Sequence, residues 1–400
     1  MKFKKEREGN KQMKKIVYIL FLIMPLVACK KPITLVPVAT NSSYLVVDGS
    51  INSGDSSLIT LSHTVNIAGN ARSNPELNAT VGIEGTAGDK YALTSKGNGN
   101  YISAVLNLAA GEKYRLNITT GDGKKYASDF VPVKNSPPVD NVSYAVAGNG
   151  LQINVDTHDA TNSSRYYRWD YVITYQVRSA FESKLIVVNG DTSAFRTPAQ
   201  QIYNCWLNDT SSNIALGSSA KLASDVISKQ EISLIQPNSE ILRIGLSVLV
   251  KQHVLTSDAF NYFDLLKKNS EQVGGIFDAQ PSELTGNIHC ITNPSEPVIG
   301  YIIAGAISTK RLFVDNKDLP STWLADLSYY DGCALITELY DYIAPGGSGL
   351  IEHQVRDYVY TGIETPIDTV LSPKLGLKAA KPYCGDCTLR GTNKKPSFWK

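Results

Sequence analysis

The sequence predicts an all-β protein, or a mainly β one, built from tandem β-sandwich domains. In this prediction the second domain has a short helical insertion near residues 256–270 and a C-terminal tail pinned by a disulfide. The 400 residues include 21 Tyr and 30 Gly, residue types that favour strands and tight turns respectively. Apolar and polar residues alternate at period two over many short segments, and turn signals separate these segments.

The chain begins with a segment that predicts a lipoprotein signal peptide over residues 1–28. Lys14 and Lys15 supply a positive flank, and the apolar stretch at residues 16–27 is too short to span a bilayer. The run Leu26-Val27-Ala28-Cys29 is similar to a lipobox, in which a small residue precedes an acylated cysteine. We therefore expect cleavage before Cys29, lipidation of Cys29 and attachment of the chain to a membrane through this lipid.

Removal of residues 1–28 changes the net charge of the chain. The full sequence has 39 Lys+Arg and 37 Asp+Glu, of which seven and two lie in this segment, so the mature chain has a net charge of −3. Such a charge gives no general reason to bind nucleic acid, and we exclude nucleic acid as a partner. Met13 opens a more ordinary signal than Met1, and the choice between them does not alter the mature chain.

The first predicted domain spans residues 44–135 and follows a tether at residues 29–43. Asp48-Gly49, Gly88-Asp89 and the glycines at 97 and 99 supply turns between short alternating segments. Six or seven short strands in about 95 residues are typical of a small β-sandwich. In order, the expected strands are Tyr44–Val47, residues 58–65, 79–83, 91–94 and 101–106, and the strand of Tyr114, Leu116 and Ile118.

A sharper pattern lies inside this domain, where Leu108, Gly111, Tyr114 and Leu116 have the spacing L-x-x-G-x-x-Y-x-L. This spacing resembles extracellular sandwich modules of the transthyretin and carboxypeptidase-regulatory type. In such modules the glycine makes the turn into a strand whose tyrosine and leucine face the core. We therefore expect an Ig-like or transthyretin-like sandwich, with Tyr114 in packing rather than in ligand contact.

The second predicted domain spans residues 139–400. Its start is marked by Asn135-Ser136-Pro137-Pro138, because paired prolines disfavour helix and restrict the preceding residue. Residues 151–155 alternate as a strand does. The row Trp169, Tyr171, Ile173, Tyr175 and Val177 falls on one face of another strand. Such a row could be a carbohydrate platform, but a sandwich core explains it more economically.

A long strand, a helix and a further strand are expected next. Residues 241–255 have almost no polar interruption, as in a strand near the centre of a sheet. Thr256 or Ser257 can cap a helix that Gly274-Gly275 ends. The apolar residues 298–306 indicate another buried strand, and residues 308–314 extend or follow it.

Several segments together resemble a known family, the Bacteroidota outer-membrane lipoproteins of unknown function numbered 4249. No segment is specific alone, but their order along the mature chain is. They are Tyr44 to Asp48, Tyr166-Tyr167-Arg168-Trp169, Asn204-Cys205-Trp206, residues 275–281, Gly286-Asn287-Ile288, residues 293–301, Cys384-Gly385-Asp386-Cys387 and Lys395-Pro396-Ser397-Phe398-Trp399.

The resemblance implies an outer-membrane lipoprotein that is commonly encoded beside a TonB-dependent transporter. It supplies neither a ligand nor a catalytic residue. Surface-exported lipoproteins of that phylum often carry acidic residues just after the cysteine, whereas this chain has Lys30-Lys31-Pro32. The periplasmic and the extracellular face of the outer membrane both stay open.

Five cysteines remain after Cys29, an odd number for an oxidising compartment. Cys384-x-x-Cys387 permits a thioredoxin-like redox pair, a zinc knuckle or a structural disulfide. We favour a disulfide from Cys384 or Cys387, with Cys333 as the expected partner, which would pin the tail to the body. The five cysteines are Cys205, Cys290, Cys333, Cys384 and Cys387.

Motifs for catalysis or metal binding do not occur. No H-E-x-x-H or G-x-S-x-G pattern is present. His158 lies between Asp156 and Asp159, which could hold a cation, but a solvated turn is the simpler interpretation. Residues 315–318 resemble a calcium loop only loosely, and Glu283 and Glu296 could form a glycosidase pair only if the fold brings them together. We therefore expect no enzyme activity, no metal and no cofactor.

The function predicted from the sequence is that of a non-enzymatic outer-membrane lipoprotein, acting as an accessory or ligand-binding subunit of a TonB-dependent nutrient uptake system. The alternatives are an adhesive or structural protein of the cell envelope and a cryptic surface hydrolase. A ligand could contact a tyrosine-rich stretch, although strand core is the safer interpretation for half of it. The stretch comprises Tyr329, Tyr330, Tyr340, Tyr342, Tyr358 and Tyr360.

Overall fold

Ten short strands lie between residues 45 and 132 in the described part of the chain. The structure is a computed structural model and describes residues 43–65, 74–109, 111–271, 284–343, 351–372 and 375–399. Cys29 and the tether up to residue 42 lie outside these ranges. The strands are β1 (Leu45–Gly49), β2 (Ile51–Ser53), β3 (Ser56–His63), β4 (Thr80–Gly85), β5 (Lys90–Ala92), β6 (Thr94–Gly97), β7 (Asn100–Val105), β8 (Lys113–Thr119), β9 (Lys125–Ser128) and β10 (Val131–Pro132).

All of these strands except β2 form the two sheets of the predicted first sandwich. One sheet has the order β1-β3-β7-β6, and the other contains β9-β8-β4-β5 with β10 beside β8. The Tyr114 side chain is fully buried on β8, so its predicted packing role is confirmed. Its hydroxyl accepts a hydrogen bond from the Ala109 backbone N–H at 3.0 Å, across the turn where Gly111 has a φ of +87°. This positive φ is the reason for glycine at that position.

The second group of strands surrounds a larger core. Helix α1 (Ser257–Glu271) follows it and confirms the predicted insertion. The Thr256 hydroxyl caps this helix by accepting from the Ala259 N–H at 3.2 Å; the predicted end at Gly274-Gly275 lies outside the described residues. The strands are β11 (Val139–Ala147), β12 (Gly150–Asp159), β13 (Tyr166–Arg178), β14 (Leu185–Val188), β15 (Thr192–Phe195), β16 (Asn204–Thr210), β17 (Ala215–Ser218), β18 (Asp225–Ile235) and β19 (Gly245–Val254).

The sheet β11-β12-β18 packs on a sheet of order β16-β13-β19-β22, with β17 beside β13; β22 (Ser308–Asp315) follows later in the chain. The row from Trp169 to Val177 is mostly buried, which confirms core packing rather than an exposed platform. The expected long strand at 241–255 is shorter than predicted. Residues 240–242 form a 3₁₀ turn, because the Ser239 hydroxyl accepts from the Ile241 N–H and caps it.

After α1 the chain returns to the first sandwich. Strand β20 (Ile288–Cys290) pairs with β9, and β21 (Ala304–Ala306) pairs in parallel with β2. Most of the strand expected at 298–306 is irregular. Within this segment Ile299 exchanges backbone hydrogen bonds with Leu45 and Val47 of β1. The Asn287 amide holds the next part, since it donates to the Ile302 carbonyl at 2.9 Å and accepts from the Ile302 N–H at 2.8 Å.

The last part of the chain forms a small sheet of order β23-β27-β26 and a separate hairpin of β24 and β25. A π-helix spans Val355–Tyr360. The elements are β23 (Ile336–Leu339), β24 (Tyr342–Ile343), β25 (Ile351–Glu352), β26 (Thr365–Val370), β27 (Gly376–Ala380) and the short helix α2 (Pro382–Gly385).

Two main hydrophobic cores lie within the compact unit Ser43–Lys400. The first contains residues 45–131 together with residues 288–304, and the second contains residues 139–319. The division of this unit into domains at residues 135–139 stays a prediction. Within the described ranges, no helix is long and apolar enough to cross a membrane.

Candidate functional site

A cleft of about 320 Å³ lies where the first sandwich, the returning segment and the start of α1 meet. Its walls combine apolar and polar side chains, as is common for small-molecule sites. Residues far apart in sequence, near 130, 256 and 300, supply the lining. The side chains most relevant to binding are Phe130, Lys134, Thr256, Asp258 and Tyr301.

The walls of this cleft are held by hydrogen bonds and ring contacts. The Asn287 carbonyl accepts from the Asp129 N–H at 2.7 Å, which ties the returning segment to the edge of the first sandwich. The Tyr301 ring packs on Tyr262 of α1, with centroids 5.2 Å apart. The cleft is thus formed by backbone that other contacts already fix, and little ordering would be needed for a ligand to bind.

The charges around the cleft have both signs. Lys134 contributes an ammonium group, and Asp129 and Asp258 contribute carboxylates. The Asp129 Oδ1 atom also lies 3.2 Å from His289 Nε2. Because donors and acceptors are both available, the cleft suits a small polar solute with groups of each kind rather than a strongly charged one.

A much smaller cavity adjoins the cleft and contains His253 in its lining. Its volume of about 10 Å³ corresponds to room for about one water molecule. His253 Nε2 lies 3.0 Å from Asp170 Oδ2, and the same oxygen is 2.8 Å from an Arg168 guanidinium nitrogen. The three side chains form an ionic cluster beneath α1, where the Arg168 guanidinium lies over the Phe263 ring.

The protonation of this cluster follows from burial and charge. Burial alone would raise the pKa of Asp170, but the charge of Arg168 and the hydrogen bond with His253 hold that pKa far below its ordinary value. Burial lowers the pKa of His253, and the hydrogen bond to Asp170 opposes this only in part. Since Arg168 already balances Asp170, a second buried positive charge is unfavourable, and His253 is neutral at pH 7.

The buried neutral His253 should make the protein less stable in mild acid. The unfolded histidine binds a proton below about pH 6.5, whereas the folded one does so only at lower pH. The unfolded state therefore gains protons first, and the free energy of unfolding falls as the pH decreases below about 6.5. We expect His253→Gln, which keeps a donor for Asp170, to show a shallower decline between about pH 7.5 and about pH 5.5 in urea denaturation.

The matched control for this prediction is His158→Gln. His158 is exposed, and the hydrogen bond and charge of Asp140 raise its pKa, so this side chain favours the folded state as the pH falls. Its replacement should leave the decline as steep as in the parent protein, or slightly steeper. An equal slope for the parent and His253→Gln would contradict the assignment of a neutral, buried His253.

The structure connects the predicted cysteines through two disulfides. Cys333 bonds to Cys384, which is one of the two pairings that the sequence left open. Cys387 bonds to Cys205, a pairing that the sequence analysis did not assign. Cys290 is a buried free thiol. Both cysteines of the C-x-x-C motif therefore form disulfides that join the tail to the rest of the chain.

The other candidate residues lie in structural contacts. His158 pairs with Asp140 at 2.7 Å, and Asp315 caps a turn by accepting from the Lys317 N–H. Glu296 accepts from both the Lys124 ammonium and the Tyr126 hydroxyl at 2.8 Å. Glu283 lies outside the described residues. Within the described part of the chain, no group of three or more His, Cys, Asp or Glu could hold a metal ion.

The six tyrosines do not form one surface. Tyr329 and Tyr330 are in edge contact, with centroids 5.1 Å apart, and the Arg390 guanidinium lies 4.4 Å from the Tyr329 centroid. Elsewhere in the fold, burial raises the pKa of Tyr360 to about 12, and the neighbouring Tyr340 contributes to this shift. Tyr358 is exposed, and Tyr342 lies on β24. The stretch therefore divides into separate local groups.

Sequence reasoning missed two features. The cleft cannot be recognised from the sequence because its lining comes from distant segments, although Asn287 belongs to the motif Gly286-Asn287-Ile288. The second feature is the pair Glu338 and Glu364. Burial raises the pKa of both carboxyls, and the charge of Glu364 raises that of Glu338 further. Nothing in the spacing of these two residues indicated their proximity.

Comparison with known proteins places the chain in a family. No curated protein matches it. Solved structures similar to it include a two-domain fibronectin type III segment of chicken tenascin, at 11% identity over 53% of this chain and 92% of that one, with a TM-score of 0.16. Another is titled manganese lipoxygenase of Gaeumannomyces graminis with a partial structure of zonadhesin of Komagataella pastoris. It is 12% identical over 55% of this chain and 91% of that one, with a TM-score of 0.14. The family described as "Domain of unknown function (DUF4249)" matches residues 30–311, and the chain belongs to this family.

Proposed function

We propose that this protein is a non-enzymatic, lipid-anchored protein of the outer membrane that serves as an accessory or ligand-binding subunit of a TonB-dependent nutrient uptake system. The observation that carries the proposal is the lipobox-like run ending at Cys29, with a basic flank and an apolar stretch before it. Membership of the family supports it, since the resemblance implies a transporter encoded nearby.

A binding role is also supported by the geometry of the cleft. The cleft of about 320 Å³ lies at the lower end of the volumes typical of small-molecule sites. The buried pair His253 and Asp170 lies beside the separate cavity of about 10 Å³, which admits a water molecule but no substrate. Binding without catalysis is the simplest role for this arrangement.

The test is a pull-down of the tagged, natively acylated protein from detergent-solubilised outer membrane, with partners identified by mass spectrometry. We expect stoichiometric recovery of a TonB-dependent barrel. The control is Cys29→Ala, which removes the thiol that would be acylated and should move the protein from the membrane to the soluble fraction. One lipid-modified terminus supplies the anchor in this proposal, so the loss should be nearly complete.

Three results would contradict the proposal. Recovery of the protein alone, under conditions that preserve known transporter complexes, would favour an adhesive or structural role in the cell envelope. Turnover of glycans or peptides by the purified protein would favour a surface hydrolase. If the Cys29→Ala protein stayed in the membrane fraction, the predicted lipid anchor would be wrong.

A further inference from the structure

A second groove lies on the face of the large sheet that points away from the second core, where the C-terminal tail crosses the sheet. On β13 and β16, Gln176 and Trp206 are directly opposite in register, so both side chains lie on one face. Trp399 from the tail stands on this face. Its ring makes edge contacts with Trp206, at 6.2 Å between centroids, and with Phe313 of β22, at 6.4 Å.

The groove beside Trp399 has a volume of about 580 Å³ and an open, mixed lining. The side chains that matter for recognition are Gln176, Asp315, Lys317, Asp318 and Trp399. The Lys317 ammonium nitrogen lies 3.3 Å from an Asp315 carboxylate oxygen, so the charges of these two side chains largely cancel. Among the described residues that line the groove, Asp318 then leaves one net negative charge.

Gly245 keeps part of the groove open. A Cβ atom at this position would lie 3.5 Å from the Val314 carbonyl oxygen and 4.0 Å from the Trp399 ring. These are ordinary contact distances, and the backbone of Gly245 does not have the positive φ that excludes side chains. A larger side chain at 245 would therefore be tolerated by the backbone and would project beside Trp399.

The aromatic wall is held in place before any ligand binds. Trp206 exchanges two backbone hydrogen bonds with Thr392 of the tail, at 2.8 and 3.1 Å. The neighbouring Cys205 bonds to Cys387. The Arg311 guanidinium carbon lies 3.6 Å from the centroid of the Phe398 ring. Because the tail is fixed at these points, the Trp399 ring would lose little freedom on binding.

We propose that this groove binds a neutral oligosaccharide. The C–H face of a sugar ring packs on an aromatic surface such as the half-buried Trp399. Sugar hydroxyls both donate and accept, which suits the carboxylates, the amide and the ammonium group beside that ring. The near balance of charge disfavours phosphates and polycations. This inference does not depend on a transporter partner, since it concerns only the tail and the sheet beneath it.

The test is isothermal titration of the full-length acylated protein in detergent with short gluco-, manno-, galacto- and xylo-oligosaccharides. We expect at least one to bind with a Kd of about 0.1–1 mM. Trp399→Ala and Gly245→Leu should each weaken that binding at least about tenfold. Asp318→Asn, which removes a charge at constant size, should weaken it less. Phe195→Ala is the control, because Phe195 is 68% exposed on β15 and does not line the groove.

The Gly245→Leu variant keeps the result interpretable if Trp399→Ala loosens the tail, since it fills the groove and leaves Trp399 in place. Circular dichroism would check that each variant is folded. The proposal is overturned if no oligosaccharide in the set binds, or if folded Gly245→Leu binds as the parent does. Binding of choline or oligolysine in place of sugars would assign the groove to cations instead. None of these outcomes bears on the pull-down from outer membrane.

Discussion

Removal of the Cys205–Cys387 disulfide should lower the free energy of unfolding more than any other single change to the covalent structure. The two cysteines are 182 residues apart in sequence. In the chain-entropy account, opening a loop of this length costs about 5 kcal/mol, because the unfolded chain gains the freedom that the cross-link denied it. Both sulfurs are buried with Val177, so the loss of packing adds to the entropic effect.

The measurement is urea denaturation of the double variant Cys205→Ala/Cys387→Ala, in which no unpaired thiol is created. The matched comparison is Cys333→Ala/Cys384→Ala, whose loop of 51 residues predicts a smaller loss of about 4 kcal/mol. Cys290→Ala is the control, because it removes a buried thiol that forms no disulfide. Equal stability of the parent and the first double variant would show that this cross-link does not constrain the chain.

Truncation of Trp169 should be the most destabilising single substitution in the second core. Its side chain is fully buried, and its ring stacks on the Tyr167 ring with the centroids 5.8 Å apart. The indole Nε1–H donates to the Gln252 side-chain oxygen at 2.9 Å, and the Gln252 amide donates to the Pro137 carbonyl at 3.0 Å. Trp169→Ala leaves a cavity and an unpaired buried oxygen, and we expect a loss of about 4 kcal/mol.

Two further variants separate packing from hydrogen bonding at this position. Trp169→Phe removes the N–H but keeps much of the ring, so the loss should be about half as large. Gly217→Ala adds a Cβ that would lie 2.7 Å from the Trp169 ring, and steric displacement of the ring should destabilise the fold without any loss of polar groups. Chemical denaturation measures the free energy of unfolding of Trp169→Ala, Trp169→Phe and Gly217→Ala. Substitution of the exposed Phe195 by Ala is the control. A loss below about 1 kcal/mol for Trp169→Ala would contradict the central role of this residue.

Much of the secondary structure could be predicted because its causes are local. The alternation of Tyr114, Leu116 and Ile118 places all three in the core, and Thr256 caps α1 through a contact only three residues away. The errors occurred where a side-chain hydrogen bond, from the nearby Ser239 or from Asn287, replaced the expected strand pattern. Residues 298–306 are apolar enough for a strand, but only Ala304–Ala306 form one, and the Asn287 amide bonds to both backbone groups of Ile302.

The candidate sites could not be predicted from periodicity. The cleft depends on Lys134, Asp258 and Tyr301, and the groove depends on Gln176, Asp315 and Trp399. Each set is brought together by pairing between strands far apart in the chain. Spacing along a sequence reports the face on which a side chain lies, but it does not report which other element meets that face.

The sequence by itself determined the β class, the order of most strands, the capped helix at 257–271 and the family, because these follow from short-range patterns and from motifs in order. Only the tertiary structure decided that Cys387 bonds to Cys205, that residues 288–306 return to the first core and that the tail covers the outer face of the large sheet. The physical reason is that burial and cross-linking depend on which surfaces meet, and this depends on the free energy of the whole chain rather than of any one segment.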